Sequence, residues 1–288
     1  MSTRIKRRSA AYYRAMRRVR QLALGCVTAL LLFYVLFPYY WAIVSSTKQG
    51  AELYNSVLLP ALDFRHYKEL FRDANFATSI FNSLCVAIST TALSLGLGTL
   101  AAYALGRLNF PERRSLLLTV LMISIFPQVV VLSGMFELIR WFGLYNRVWS
   151  LVFAYLIFTL PFTTWVLTSF IREFPRELEE AAIMDGCSHW RILTSILLPL
   201  MGPALVSTGL LAFILAWNEF LFALTFTLTE GSRTVPVAIG LLAGNSRYEY
   251  PFGPIMAASV TVTLPLIVLV LFFQRKIVAG LTAGAVKG

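Results

Sequence analysis

The sequence predicts an all-α, polytopic membrane protein. Of its 288 residues 58% are hydrophobic and only 14% charged, where soluble domains carry about a quarter charged. Mean hydropathy is +0.71. Uncharged runs cover positions 21–47, 74–106, 115–136, 148–171, 192–218 and 250–274. Each exceeds the roughly 20 residues a helix needs to cross about 30 Å of hydrocarbon. Such breadth contrasts with the short alternating strands of a barrel, so six transmembrane helices are predicted.

Charge sets the expected orientation. Arg4, Lys6, Arg7, Arg8, Arg14, Arg17, Arg18 and Arg20 precede the first apolar run with no acidic residue among them, a cluster that holds the amino end in the cytoplasm. With that orientation 17 of the 25 Lys and Arg fall in inner segments and 8 in outer ones, which puts both termini inside. The net charge of +11 therefore reads as membrane orientation. No basic face with interleaved aromatics accompanies it, so nucleic acid is not an expected partner. The apolar run is too long for a signal peptide, and no small-x-small cleavage site precedes Thr47 convincingly. The expected organisation is a basic tail over 1–21, a first span over 22–46, an external loop over 47–77, a five-helix core over 78–274 and a cytoplasmic tail over 275–288.

The spans carry further signals in order. Pro38 is followed by Tyr39, Tyr40 and Trp41, an aromatic cluster suited to the outer interface. The external loop has room for short surface helices. In span two Gly98, Ala102 and Gly106 recur every four residues and allow a neighbouring helix close approach. Pro127 in span three and Pro161 in span four free backbone carbonyls, which need partners in the bundle or in a wet cavity. The segment from Glu137 to Trp149 is amphipathic and is expected at the outer interface. Span five contains Trp217, Asn218 and Glu219 inside an apolar stretch. A carboxylate there is costly and faces the bundle interior, a partner or water. It admits three roles: a structural or inter-subunit contact, a wall of a solute path, or proton coupling. Asn218 and Trp217 would suit a sugar through amide hydrogen bonds and ring stacking, although neighbours on one helix point in different directions. Pro265 interrupts span six.

The stretch from Arg172 to Pro199 separates spans four and five and holds Glu173, Glu177, Glu179, Glu180 and Asp185, 5 of the 14 acidic residues. Pro175 suits the first position of a helix, and the glutamates that follow favour its positive end. Gly186 supplies the conformational freedom of a helix end, and Ser188 can cap a second helix. Two short helices meeting at a glycine bend are expected, with a side chain at 186 obstructing the bend.

Within that stretch Glu180, Ala181, Ala182, Gly186, Ile196, Leu198 and Pro199 spell E-A-A-x3-G-x9-I-x-L-P. The pattern resembles the cytoplasmic loop signature of ABC importer permeases. Three further stretches are similar to the carbohydrate branch of that family: A-A-Y-A-L-G-R-L-N-F-P ending span two, W-N-E-F in span five, and the tail from Phe273 to Gly288, which looks like that of the maltose-type permease subunit. The resemblance covers about residues 75–288. It implies that the loop, with Asp185 beside the motif residues, is a coupling helix docking in a cleft of a separate ATPase dimer, which binds ATP and Mg. It also implies a homologous second permease subunit, an extracytoplasmic sugar-binding protein, a carbohydrate or polyol substrate, and a bacterial or archaeal cytoplasmic membrane. The tail would reach between the ATPase subunits.

The residues themselves fit that picture. No G-x-x-x-x-G-K-[ST] loop is present, so nucleotide phosphates are not cradled by that device. Two histidines, His66 and His189, give no catalytic pair or metal cage; His189 is expected to touch the ATPase. Cys26, Cys85 and Cys187 lie in separate segments without a disulfide or metal spacing. Neither an enzyme nor a resident cofactor is expected. The competing reading is a secondary transporter driven by an ion gradient with Glu219 as coupling carboxylate.

Overall fold

The computed structural model describes residues 2–54, 58–72, 74–242 and 251–283. All regular structure among them is helical. Positions 284–288 of the expected cytoplasmic tail and the stretch 243–250 lie outside the described residues.

Two compact units are distinguished. The smaller comprises Met1–Lys68 with Pro251–Val260. Its main element, α1 (Ser2–Ser46), passes through Pro38 without ending. The basic tail and first span are thus one helix, since helix-forming Arg, Lys, Ala and Met carry the pattern with no glycine before Gly25. The chain then turns through Gly50–Tyr54 into α2 (Arg65–Arg72). The Ser46 hydroxyl meets that of Tyr67 at 2.7 Å, and His66 Nε2 lies 3.0 Å from the Lys48 carbonyl. A Cβ on Gly253 has no room against the His66 ring.

The larger unit is built on α3 (Ala74–Arg107) and α6 (Val148–Glu173). Ser94 Oγ and Thr159 Oγ1 hydrogen bond at 2.6 Å across an offset of 65 residues. Further along, a Cβ on Gly98 would fall 2.8 Å from Thr163 Cγ2, and one on Gly106 would fall 2.8 Å from Ile171 Cγ2. The offset is constant, so the two helices run parallel, and the Gly98, Ala102, Gly106 stripe is the contact face the sequence predicts.

Parallel neighbours require a return crossing. It is supplied by α4 (Arg113–Ile125) and α5 (Gln128–Trp141), which meet at 97°. Phe126 and Pro127 adopt extended backbone between them, where proline disfavours helix at the preceding residue and has no N–H to extend the hydrogen-bond ladder. The expected straight span with a kink is a sharp break here, whereas α6 runs through Pro161 unbroken.

After the polar loop, α10 (Gly202–Trp217) returns against α3, with Gly209 leaving space for Leu95 and Thr91. Its Ala204 joins the cluster of Ala102, Tyr103, Leu167 and Ile171, while Phe213 and Trp217 join that of Val86, Leu151 and Tyr155. It therefore runs antiparallel to α3 and α6. The last long helix, α13 (Phe252–Ala283), passes through Pro265 and continues beyond the expected end of its span. Among the described residues four helices are long and apolar enough to cross a membrane alone, or up to six spans by length and composition when each bent pair counts as one.

Candidate functional site

The loop after α6 forms the helical pair the sequence predicts, starting slightly later. Pro175 lies outside it: α7 spans Glu177–Met184, behind Arg176, with Glu177, Glu179 and Glu180 in its first turn. Its far end is closed by two backbone bonds, Cys187 N to Ala182 O and Gly186 N to Ile183 O, each 2.9 Å. This paired closure needs a left-handed residue after the helix, and Gly186 supplies it at φ +79°. A Cβ at 186 would meet nothing within 4 Å, so the bend is protected by backbone conformation and not by the obstruction expected from sequence. Ser188 then accepts from Arg191 N at 3.4 Å and caps α8 (His189–Ile192).

The chain leaves through a π-type turn over Leu193–Leu197 and α9 (Leu198–Leu200), then breaks by 79° into α10. Ile196 and Leu198 pack partly buried in this turn, and Pro199 is exposed.

Two opposite environments divide α7. Ala182 is buried among Tyr103, Leu167, Ile171, Ile192 and Leu197. Glu179 pairs with Arg107 at the end of α3, Nε to Oε1 at 2.6 Å, with the two side chains only 13% and 5% exposed. The approach is that of an ion pair and not of a linear hydrogen bond. Arg107 also donates to the Phe174 carbonyl at 2.8 Å. On the solvent side Leu178, Ile183 and Met184 are exposed, Met184 at 88%, beside exposed Glu180, Ala181, Asp185 and Gly186. Large apolar side chains held in water on a rigid helix mark a docking face. His189 is exposed, with its Nδ1 3.1 Å from the Tyr103 hydroxyl.

Neither the pairing of Arg107 nor the inward role of Glu179 is legible in the sequence. The one available signal was a basic residue closing span two opposite an acidic loop.

The second candidate group does not lie on one continuous helix. Trp217 ends α10, buried and stacked on Phe213 with centroids 5.7 Å apart. Asn218 closes that helix, its side chain donating to Ile214 O at 2.9 Å, and is exposed. Glu219 sits in the break before α11 (Leu221–Phe226), where Oε1 accepts from Phe222 N at 3.0 Å and Oε2 from Ala223 N at 3.2 Å. The carboxylate caps the helix, satisfying amides at its positive end, and lies beside the Tyr155 hydroxyl. The three residues are thus brought together as a chain break, with only Asn218 open to solvent.

The opposite end of the bundle is fastened by a residue that sequence reasoning did not single out. Asn146, at φ +59°, accepts through Oδ1 from Leu228 N at 2.8 Å, Thr229 N at 3.0 Å and Ser232 Oγ at 2.7 Å. Asn82 donates to the Gly231 and Arg233 carbonyls. The apolar segment that follows these contacts forms α12 (Val235–Leu242).

Residues 94–282 match the family described as binding-protein-dependent transport system inner membrane component. The chain belongs to this family. As such a component it is a multi-pass ABC importer permease of the carbohydrate type. It is 40% identical over 260 residues to the trehalose transport system permease protein SugB of Mycobacterium tuberculosis, covering 90% of this chain and 95% of that one. Identity is 42% over 256 residues to the trehalose/maltose transport system permease protein MalG of Thermococcus litoralis, covering 88% and 92%. A bacterial ABC transporter for import of the acidic polysaccharide alginate shares this permease's fold, with a TM-score of 0.77 at 21% identity, covering 90% of this chain and 96% of that one.

Proposed function

We propose that this permease is one of two homologous subunits that together pass a carbohydrate or related polyol inward across a bacterial or archaeal cytoplasmic membrane. The observation that carries this reading is the similarity, over nearly the whole length of both chains, to permeases named for trehalose and for trehalose/maltose transport. Relatives named for sulfoquinovosyl glycerol and diacetylchitobiose transport add to it. The substrate is a sugar delivered by an extracytoplasmic binding protein.

The chain crosses six times, each bent pair counting as one crossing, with both termini and the α7–α8 loop in the cytoplasm. The parallel course of α3 and α6 and the positive charge of the inner segments support this. ATP and Mg are held by a separate ATPase dimer, and the permease performs no chemistry of its own. The exposed face of α7, with Met184, Ile183, Ala181, Glu180 and Asp185, docks in a cleft of one ATPase subunit. When ATP closes that pair, α7 moves with its cleft as a rigid body. The motion reaches α3 through Arg107 and Glu179, and α6 through buried Ala182, so the spans rock between inward and outward opening. Gly186, Ile196, Leu198 and Pro199 hold the geometry of the loop and its exit. On the path side Asn218 meets the solute, while Trp217 and Glu219 shape the break that presents it. An ion-coupled carrier is not favoured, because both Glu219 oxygens accept amides of the chain's own backbone.

The test is uptake by proteoliposomes holding the permease pair and ATPase, with binding protein outside. Radiolabelled trehalose or maltose should enter only with enclosed ATP. Uptake that follows an ion gradient without ATP would contradict the reading.

A further inference from the structure

Three arginines gather at the loop end of the bundle without a carboxylate partner. Arg113 and Arg114 open α4 and Arg172 lies near the end of α6; with Pro111, Leu117 and Leu118 they line a cavity of about 550 Å³. Among the described residues the ion pairs are Arg65–Asp63, Arg107–Glu179 and Arg233–Glu230, so the sequence neighbours Glu112 and Glu173 neutralise none of the three. Arg113 and Arg172 act on each other as like charges. Each gives one bond to the end of α3, Arg172 to Leu105 O at 3.1 Å and Arg113 to Gly106 O at 3.0 Å. A guanidinium carries five N–H donors, so most remain unused. The Arg114 side chain has no hydrogen-bond or ion-pair partner among the described residues.

Like charges around a shared cavity are unfavourable unless an anion joins them, and guanidinium forks match phosphate oxygens. The apolar wall identifies the anion's source. Leu117 and Leu118 line the cavity, and α4 continues outward with exposed Leu118, Met122 and Ile125. A soluble anion has no use for that wall, whereas the chains of a lipid do. Basic pockets on the cytoplasmic side of transmembrane helices suit anionic headgroups. We propose that this cavity seats the phosphate of an anionic phospholipid of the cytoplasmic leaflet between Arg113, Arg114 and Arg172, with its acyl chains along α4. The inference rests on the topology proposed above.

The test uses the complete importer in nanodiscs of equimolar phosphatidylcholine and phosphatidylglycerol, extracted gently and read by native mass spectrometry. The parent protein should retain phosphatidylglycerol over phosphatidylcholine. Arg114→Gln should weaken retention roughly fivefold and Arg113→Gln with Arg114→Gln further, since each basic residue contributes separately to anionic lipid binding. Arg114→Lys should keep most of it. The Arg114 side chain has no internal bond to lose, so its variants guard against misfolding of the α3 end. Equal retention of both lipids, retention indifferent to Arg114→Gln, or displacement of the lipid by inorganic phosphate would each overturn the proposal. ATP-driven sugar uptake by the same importer, together with such a result, would leave the proposed function standing. Labelling of Arg114→Cys only from outside would instead overturn the topology, and this site with it.

Discussion

Glu179 of α7 lies 2.6 Å from Arg107 at the end of α3, in an ion pair almost shielded from water. The pair joins the loop to the bundle across 72 residues of sequence, so a force applied to α7 is delivered directly to a spanning helix. Removing one partner leaves a mostly buried charge unpaired, which costs about 3–5 kcal/mol. Arg107→Met and Glu179→Met are each expected to lower the melting temperature of the purified importer and to uncouple ATP hydrolysis from uptake. The double replacement should recover much of the stability but not the coupling. Equal stability of all three variants would show the pair to be incidental.

Gly186 closes α7 at φ +79° with open space around it. Substitution therefore costs left-handed backbone strain of about 1–2 kcal/mol, nearly independent of side-chain size. Gly186→Ala and Gly186→Leu should reduce uptake to similar degrees, while Gly186→Asn should retain more. A graded loss with volume in normally expressed variants would restore obstruction as the cause.

Gly98 faces Thr163, whose Cγ2 would stand 2.8 Å from an added Cβ. Thr163 is buried and stiff at χ1, so Gly98→Val should cost about 1–3 kcal/mol by overpacking. The check is thermal unfolding of the solubilised importer, with Gly96→Val, where nothing lies within 4 Å, as the near-neutral control.

Glu219 caps α11 with both oxygens. Losing a cap of this kind costs about 0.5–2 kcal/mol. Glu219→Gln keeps one acceptor, so melting temperature and uptake should fall modestly and together, and Glu219→Ala should lower both further. Loss of uptake with unchanged melting would move this residue from the scaffold to the transport path.

The parts legible in the sequence were those whose cause is local. The α7–α8 pair could be read because Gly186 and Ser188 act on their own neighbours, and the α3 contact face because its small residues recur at helical spacing. The break at Glu219 was hidden, since W-N-E-F-L-F continues an apolar run and only the reach of the carboxylate to the amides of Phe222 and Ala223 shows why the helix stops. Pro127 marked a disturbance but not its 97° size, which depends on how α4 and α5 pack. Arg107 with Glu179, and Asn146 with the 228–232 turn, join residues distant in the chain, so no window of sequence contains them.

The most direct measurement of the central claim is a cross-link from Met184, the most exposed large apolar side chain of α7. Met184→Cys, in a background where Cys26, Cys85 and Cys187 are replaced, would be treated with a short bifunctional thiol reagent in membranes containing the whole importer. A cross-link to the ATPase whose yield changes when ATP is added is the result this account predicts. A cysteine at 184 that couples only to proteins outside the membrane, or reacts identically whether or not the ATPase is present, would contradict it.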